Sequence, residues 1–171
     1  MKSLSLLTVF LCAPALVVAA ETKVTDPQIA AIVVAANQVD IDAGKFAAKK
    51  SNHAEVRKFA ETMVTDHTAV NQSAVELVTK LKVKPEENDT SRALKAGGEK
   101  NLAALRMLKG KALDKAYVDH EVTYHEQVLQ ALDTILIPNA QNGELKALLV
   151  KVRPAFVAHL EHAKHLQAAL R

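Results

Sequence analysis

Apolar residues recur at intervals of three and four along four long stretches of this 171-residue chain. This spacing places them on one face of an α-helix, where residues three and four apart are neighbours. Polar capping residues, prolines and glycines separate the stretches, as is typical of helix ends. The pattern predicts four long amphipathic helices, which cover about residues 26–50, 51–84, 112–136 and 144–170.

Several residues predict how these helices begin, bend and face the core. Asp26 is expected as the N-cap of the first helix, with Pro27 at its first helical position. Ser51-Asn52 with Glu55 resembles a capping box at the start of the second helix. In the third helix the apolar stripe is expected to continue as far as Ile135. Pro154 should bend the fourth helix, because its ring blocks a backbone hydrogen bond.

The segment between the second and third long helices is less regular. Residues 91–108 have a helical pattern that Gly97 and Gly98 interrupt and Gly110 ends, so one or two short connecting helices are expected. If this segment caps one end of the molecule, the topology is up-down-up-down. If it runs lengthwise, the topology resembles that of ferritins. The sequence is compatible with both.

The composition agrees with an all-α fold and excludes several other classes. Five glycines and five prolines provide little turn chemistry for a β-sandwich. Four helices with one apolar stripe each bury those stripes most simply against one another, as a four-helix bundle. The formal charge of +3 is small for this length and shows no basic footprint, so no nucleic-acid partner is expected.

Residues 1–20 have the layout of a secretory signal peptide. Lys2 precedes an apolar stretch, and the small residues Ala19 and Ala20 provide a cleavage site. The stretch is short for a membrane span and Pro14 interrupts it. We therefore expect cleavage after Ala20, a single domain over residues 21–171 without a stable membrane span, and a location in the periplasm or outside the cell. The single cysteine, Cys12, lies in this leader, which excludes disulfides and Cys-based metal sites from the domain.

Each predicted long helix carries at least one ionisable residue on its apolar stripe: Asp40, His67, Glu121 with His125, and His159. At about 1.5 Å per residue, the five lie in a band about 11 Å deep if the two short turns of the bundle are at the same end. Buried ionisable groups are costly unless they are paired, hydrogen-bonded or bound to a metal. Five of them at one level predict a polar site in the core.

Three imidazoles and one or two carboxylates suit a divalent transition metal such as zinc, copper, nickel or iron. The leading hypothesis is a site made of His67, His125 and His159 with Glu121 as fourth ligand. Asp40 would be a further ligand or would fix a histidine tautomer. The physiological role would be metal binding or homeostasis.

The spacing of the other histidines and acidic residues gives weaker evidence that they belong to the site. His162 could join His159 as a chelating pair, because it follows one turn later. His53, His120 and His165 are expected to face solvent. Asp42 and Asp66 lie off the stripes and are expected to be surface charges.

The main alternative is a polar network without a metal, in which Glu121 and Asp40 pair with protonated histidines. The protein would then be a structural or stress-related envelope protein. An enzyme is less favoured, because no serine or cysteine nucleophile motif and no paired general acid and base is visible. An open coordination position on the metal could still support catalysis.

Three strings around these residues resemble one protein family: FAETMVTDHTAVN (59–71), YVDHEVTYHEQV (117–128) and PAFVAHLEHA (154–163). They are similar to an exported bacterial domain-of-unknown-function family, number four-one-four-two, which is regarded as ferritin-like. The resemblance implies a ferritin-like four-helix bundle in the cell envelope and supplies no established reaction. The Glu-x-x-His pairs of ferritin-like di-iron centres are missing, since Val64 and Phe156 stand three residues before His67 and His159.

Overall fold

The computed structural model describes residues 23–170, and the predicted signal peptide lies outside this range. Within it the chain is helical and contains no strand, which confirms the all-α prediction. The elements in chain order are α1 (Asp26–Lys50), α2 (Ala54–Lys80), α3 (Asp89–Arg106), α4 (Gly110–Ala131), a π-helical turn (Leu132–Leu136), α5 (Ile137–Asn139) and α6 (Gly143–Ala169).

The N-cap of the first helix lies one residue earlier than predicted. Thr25 is the N-cap, and its backbone N–H donates to Gln28 Oε1 at 3.2 Å. Asp26 lies in the first turn instead, where its carboxylate accepts the backbone N–H groups of Gln141 and Asn142 at 2.9 and 2.8 Å. The start of α1 is thereby tied to the loop between α5 and α6.

The predicted capping box of the second helix is wrong. α2 begins after His53, whose side chain makes no capping hydrogen bond among the described residues. The hydroxyl of buried Ser51 accepts the His53 backbone N–H at 3.0 Å and thus shapes the turn before the helix. Neither Asn52 nor Glu55 has the predicted capping role.

Contacts at the two ends of the bundle define its topology. At one end the Lys80 ammonium of α2 pairs with Glu144 of α6 at 2.5 Å, and the Glu86 N–H donates to the Pro27 carbonyl at 3.0 Å. At the other end Phe59 of α2 packs against Tyr117 of α4, with ring centroids 6.1 Å apart. Helices α1 and α6 therefore run in one direction, and α2 and α4 in the other.

Helix α3 connects the end of α2 to the start of α4, and these two points lie at opposite ends of the bundle. It runs lengthwise along α1, which excludes the up-down-up-down topology with a capping segment. Of the predicted one or two connecting helices, the structure has one, and it continues through Gly97 and Gly98 without a break. Gly98 lies so close to α1 that a Cβ atom there would be 2.6 Å from Val39 Cγ2, and only glycine permits this approach.

The third long helix extends further than predicted and changes its pitch. Beyond α4, the backbone N–H of Ile137 donates to the Leu132 carbonyl, which forms the π-helical turn. The wider turn rotates the helix face, because it contains an additional residue. As a result Leu136 is buried, whereas Ile135, which the stripe placed in the core, is 42% exposed.

The apolar stripes of the long helices pack against one another along the bundle axis. Apolar layers fill both ends: Ile29, Leu145 and Leu149 lie towards the end where α1 begins, and Phe59, Leu113 and Leu166 towards the other. α6 continues through Pro154 without ending. None of the described helices is long and apolar enough to cross a membrane.

Candidate metal centre

The five ionisable residues predicted on the stripes lie together in the middle of the bundle. Asp40, His67, Glu121, His125 and His159 are each at most 6% exposed. The imidazole centroids of His67, His125 and His159 are 5.3 to 5.5 Å from one another. One potential ligand atom from each of these histidines lies within 4.8 Å of the other two, and the same holds for Asp40, Glu121 and His125. Four helices thus contribute to a single polar cluster.

The cluster forms although one assumption about its height is wrong. The turn between α1 and α2 is at the opposite end of the bundle from the loop before α6, because Asp26 at the start of α1 contacts that loop. Asp40 and His67 lie close to the middle of their helices, and such residues keep nearly the same height when a helix is reversed. The shared level, which was predicted for two turns at the same end, therefore also arises with the turns at opposite ends.

His67 is held by a buried amide. Asn37, which is 2% exposed, donates its Nδ2 hydrogen to the Val33 carbonyl at 2.7 Å. Its Oδ1 atom therefore faces His67 and accepts the Nδ1 hydrogen at 2.7 Å. This arrangement leaves His67 Nε2 buried and without a hydrogen-bond partner among the described residues.

His125 and His159 are oriented in the same manner by different acceptors. The backbone carbonyl of Glu121 accepts the Nδ1 hydrogen of His125 at 3.0 Å. The Asp66 carboxylate accepts the Nε2 hydrogen of His159 at 2.9 Å. In the part of the chain that the structure describes, His125 Nε2 and His159 Nδ1 have no hydrogen-bond partner. One fixed and one free nitrogen on each ring is the arrangement typical of metal-binding histidines.

The two carboxyl groups of the cluster are close neighbours in a dry environment. Burial raises the pKa of Asp40 to about 8, although a hydrogen bond with Glu121 partly opposes this rise. Burial and the charge of Asp40 raise the pKa of Glu121 well above its usual range. The contact between them becomes a hydrogen bond only when one carboxyl carries a proton, since two carboxylates have no donor. In the absence of a cation the pair therefore retains protons at neutral pH.

The pKa values of the three imidazoles are lowered, in contrast to those of the two carboxyl groups. Burial, followed by the proximity of His125 and His159, lowers the pKa of His67 well below its ordinary value. Burial also lowers the pKa of His125 to about 4, although the Glu121 carbonyl partly opposes this shift. For His159 burial lowers the pKa, and the hydrogen bond to Asp66 opposes it. The rings are neutral at pH 7, which is the form that binds metals.

Sequence reasoning missed two residues that orient the histidines. Asp66, expected to be a surface charge only, is 44% exposed at its side chain and yet holds His159. Asn37 was not singled out, although it lies three residues before Asp40 on the same buried face. That spacing was the available signal for Asn37, whereas nothing in the sequence connects Asp66 to a residue 93 positions away.

The remaining histidines stay outside the cluster. His162 is exposed, and its ring contacts Phe59 in a T-shaped arrangement with centroids 5.0 Å apart, so it forms no chelating pair with His159. His165 faces solvent as predicted. His53 and His120 are partly buried instead, and the His120 ring stacks on Tyr124 with centroids 5.4 Å apart.

A small cavity adjoins Asp40 and His67. Its volume is about 30 Å³, and its walls are mainly apolar side chains, including Leu132 and Leu136 of the π-helical turn. A site needs about 10–15 Å³ to hold a water molecule, so one or two waters fit beside the cluster. The cavity is too small for an organic substrate.

Comparison with known proteins identifies the family. Residues 13–166 match the model of the family described as domain of unknown function (DUF4142). The chain belongs to this family. The match confirms the resemblance seen in the three sequence strings, which all lie inside the matched range, and the DUF4142 description gives no activity. No curated protein and no solved structure matches the chain.

Proposed function

We propose that this DUF4142 protein binds a divalent transition-metal ion in the core of its bundle and serves in metal binding or homeostasis. His67, His125 and His159 would be the main ligands, with Glu121 as the fourth and Asp40 as a further carboxylate partner. The observation that carries the proposal is the set of three buried imidazoles, each fixed through one nitrogen and unpaired at the other.

The donor set and its spacing suit zinc, copper, nickel or iron. Zinc–nitrogen distances of about 2.0–2.1 Å place tetrahedral ligand atoms roughly 3.3 Å apart. The potential ligand atoms of the three histidines lie within 4.8 Å of one another, so small side-chain rotations bring them to that distance. Binding would remove the protons from the carboxyl pair, because a metal requires ionised carboxylates.

The alternative, a structural network of ion pairs, has less support from the geometry. The shortest nitrogen–oxygen distances between a ring and a carboxylate inside the cluster are 3.5 Å for His67 and Asp40 and 3.6 Å for His125 and Glu121. Both exceed the usual hydrogen-bond length of about 2.7–3.2 Å. The pKa shifts of these groups also favour neutral rings and protonated carboxyls over ion pairs.

The cellular setting completes the proposal. The signal-peptide pattern of residues 1–20 supports export to the periplasm or the exterior.

The lengthwise crossover formed by α3 supports a ferritin-like classification, because ferritin-like bundles have one long crossover connection. A cavity of about 30 Å³ supports a binding protein over an enzyme for organic substrates.

The test is metal binding at equilibrium together with thermal unfolding. The purified protein is titrated with Zn²⁺, Cu²⁺, Ni²⁺ and, without oxygen, Fe²⁺, and unfolding is compared in metal and in excess chelator. Metal at about 100 times its Kd should stabilise the fold by about 2.7 kcal/mol, since it binds only the native state. His125→Ala should abolish this gain.

His165→Ala is the matched control, because His165 is an exposed histidine outside the cluster. It should retain the metal-dependent gain in full. If none of the metals raises the unfolding midpoint of the unsubstituted protein, the proposed function is wrong.

A further inference from the structure

The three imidazoles of the cluster differ in the exposure of the groups that hold them. His67 is held by Asn37, which is 2% exposed, and His125 by a backbone carbonyl of its own helix. His159 is held by Asp66, whose side chain is 44% exposed. The pair of His159 and Asp66 is therefore a direct polar connection from the buried cluster to solvent.

A divalent ion needs such a connection to reach the core. Transferring a charge through apolar side chains is very unfavourable unless polar groups accompany it. The cavity beside His67 offers no such path, because apolar residues such as Val33, Val70 and Val152 line it. Asp66, in contrast, presents a carboxylate to solvent and contacts a ring whose free nitrogen is buried.

The holders of the other two rings are difficult to displace. Releasing His67 breaks a buried hydrogen bond to Asn37, and releasing His125 leaves its buried Nδ1 hydrogen without the Glu121 carbonyl that accepts it. Buried polar groups left without partners are costly. Asp66, in contrast, is partly solvated, so water can replace its hydrogen bond to His159. His159 is thus the ring that can move with the least disruption.

We propose that Asp66 and His159 form the metal entrance of the site, an inference that rests on the proposed function. Asp66 attracts the incoming cation at the surface. His159 then releases Asp66, swings aside and closes behind the ion, which it binds through Nδ1 while the proton stays on Nε2. Asp66 is a positioning and capture residue in this scheme, not a ligand of the bound ion.

The entrance is tested through the kinetics of metal uptake. Zn²⁺ association is followed by stopped flow as the metal leaves a weak chromophoric chelator, and dissociation is followed in excess EDTA. Asp66→Asn retains an acceptor for the His159 hydrogen but removes the charge. It should slow association by roughly threefold to tenfold at low salt, because local charge steers cations.

Two comparisons separate capture from a merely structural effect. The difference between Asp66→Asn and the unsubstituted protein should shrink as salt is added, because ions screen the attraction. Glu61→Gln, which removes another exposed carboxylate of α2, should leave association unchanged. An association rate of Asp66→Asn equal to that of the unsubstituted protein at low salt, with zinc bound at equilibrium, would overturn the entrance alone. Absence of zinc binding at equilibrium would overturn the proposed function as well.

Discussion

The ends of the bundle and its middle are equally buried but differ in how their side chains are satisfied. Ile29 and Phe59 are fully buried and need only apolar neighbours, which the adjacent helices provide. Glu121 and His125 are just as buried, yet within residues 23–170 Glu121 has no hydrogen-bond partner other than the equally buried carboxyl of Asp40, and one His125 ring nitrogen has none. The end layers therefore stabilise the fold, whereas the middle layer reduces its stability unless something binds there. A layer with this property points to a ligand.

The largest effect is expected in an apolar layer. Ile29→Ala should lower the free energy of unfolding by about 2–5 kcal/mol, through lost burial and the cavity that remains. The loss should be the same in metal and in chelator, because Ile29 lies far from the cluster along α1. Chemical denaturation measures both values. A loss confined to the metal-bound form would mean that the two layers are not independent.

In the middle layer, replacing a polar side chain by an apolar one is expected to raise the stability of the metal-free protein. Glu121→Met replaces a buried carboxyl, whose partner is the equally buried carboxyl of Asp40, by an apolar side chain of similar size, and should raise the stability of the metal-free protein by about 1–3 kcal/mol. The same variant should lose metal-dependent stabilisation. Denaturation in chelator and in zinc distinguishes the two effects. If the metal-free variant is less stable than the parent, the cluster is a structural network and the contrast between the layers fails.

An intermediate effect is expected for the group that fixes His67. Asn37→Ala removes the acceptor of the Nδ1 hydrogen, so the ring loses its orientation and metal affinity should fall roughly 10- to 100-fold. Equilibrium titration measures the change. Asn71→Ala is the control, because Asn71 contacts the α1 backbone outside the cluster. Equal losses in both variants would contradict a specific role for Asn37.

The smallest effect is a pH dependence of the metal-free protein. The pKa of Asp40 is about 8 in the fold against an ordinary 3.8, so its contribution to stability is complete at low pH and is lost as pH rises through 8. The pKa of His125 is about 4 against 6.5, so its contribution is lost only as pH falls below 6.5. Between pH 6.5 and 8, stability should therefore decrease as pH rises.

Substitutions in α1 identify the group responsible. Asp40→Asn should reduce this slope in chelator and leave the part that comes from Glu121, whose pKa burial also raises, whereas Asp42→Asn, which changes an exposed carboxylate, should retain the full slope. Denaturation at the two pH values measures the difference. A slope of the opposite sign in the unsubstituted protein would show that Asp40 is ionised within the fold.

The sequence was sufficient to predict the helices and the residues of the cluster. The interval of three and four determines which side of a helix is buried, and residues near mid-helix meet at one level in either direction. Asp40, His67, Glu121, His125 and His159 could therefore be grouped without knowing the topology. Their role as ligands stays a prediction.

The helix ends and the hydrogen-bond partners could not be predicted, because they depend on contacts between distant segments. Asp26 was expected to cap its own helix, but backbone groups at positions 141 and 142 bind its carboxylate. Asp66 holds His159 only because α2 and α6 have a particular rotation relative to each other. The π-helical turn likewise shifted Ile135 out of the core, and a regular helical period does not anticipate an additional residue.

The contact of Asp26 with residues 141 and 142 also affects the alignment of α1 and α6 at the cluster in the middle of the bundle. These hydrogen bonds connect the first turn of α1 to the loop that precedes α6, and both helices run from this contact towards the cluster. Sliding one helix by a single residue would shift its side chains by about 1.5 Å along the axis. That displacement is large compared with the tolerance of a metal's coordination sphere. A carboxylate at the end of the bundle thus keeps Asp40 of α1 and His159 of α6 at the same height in the bundle.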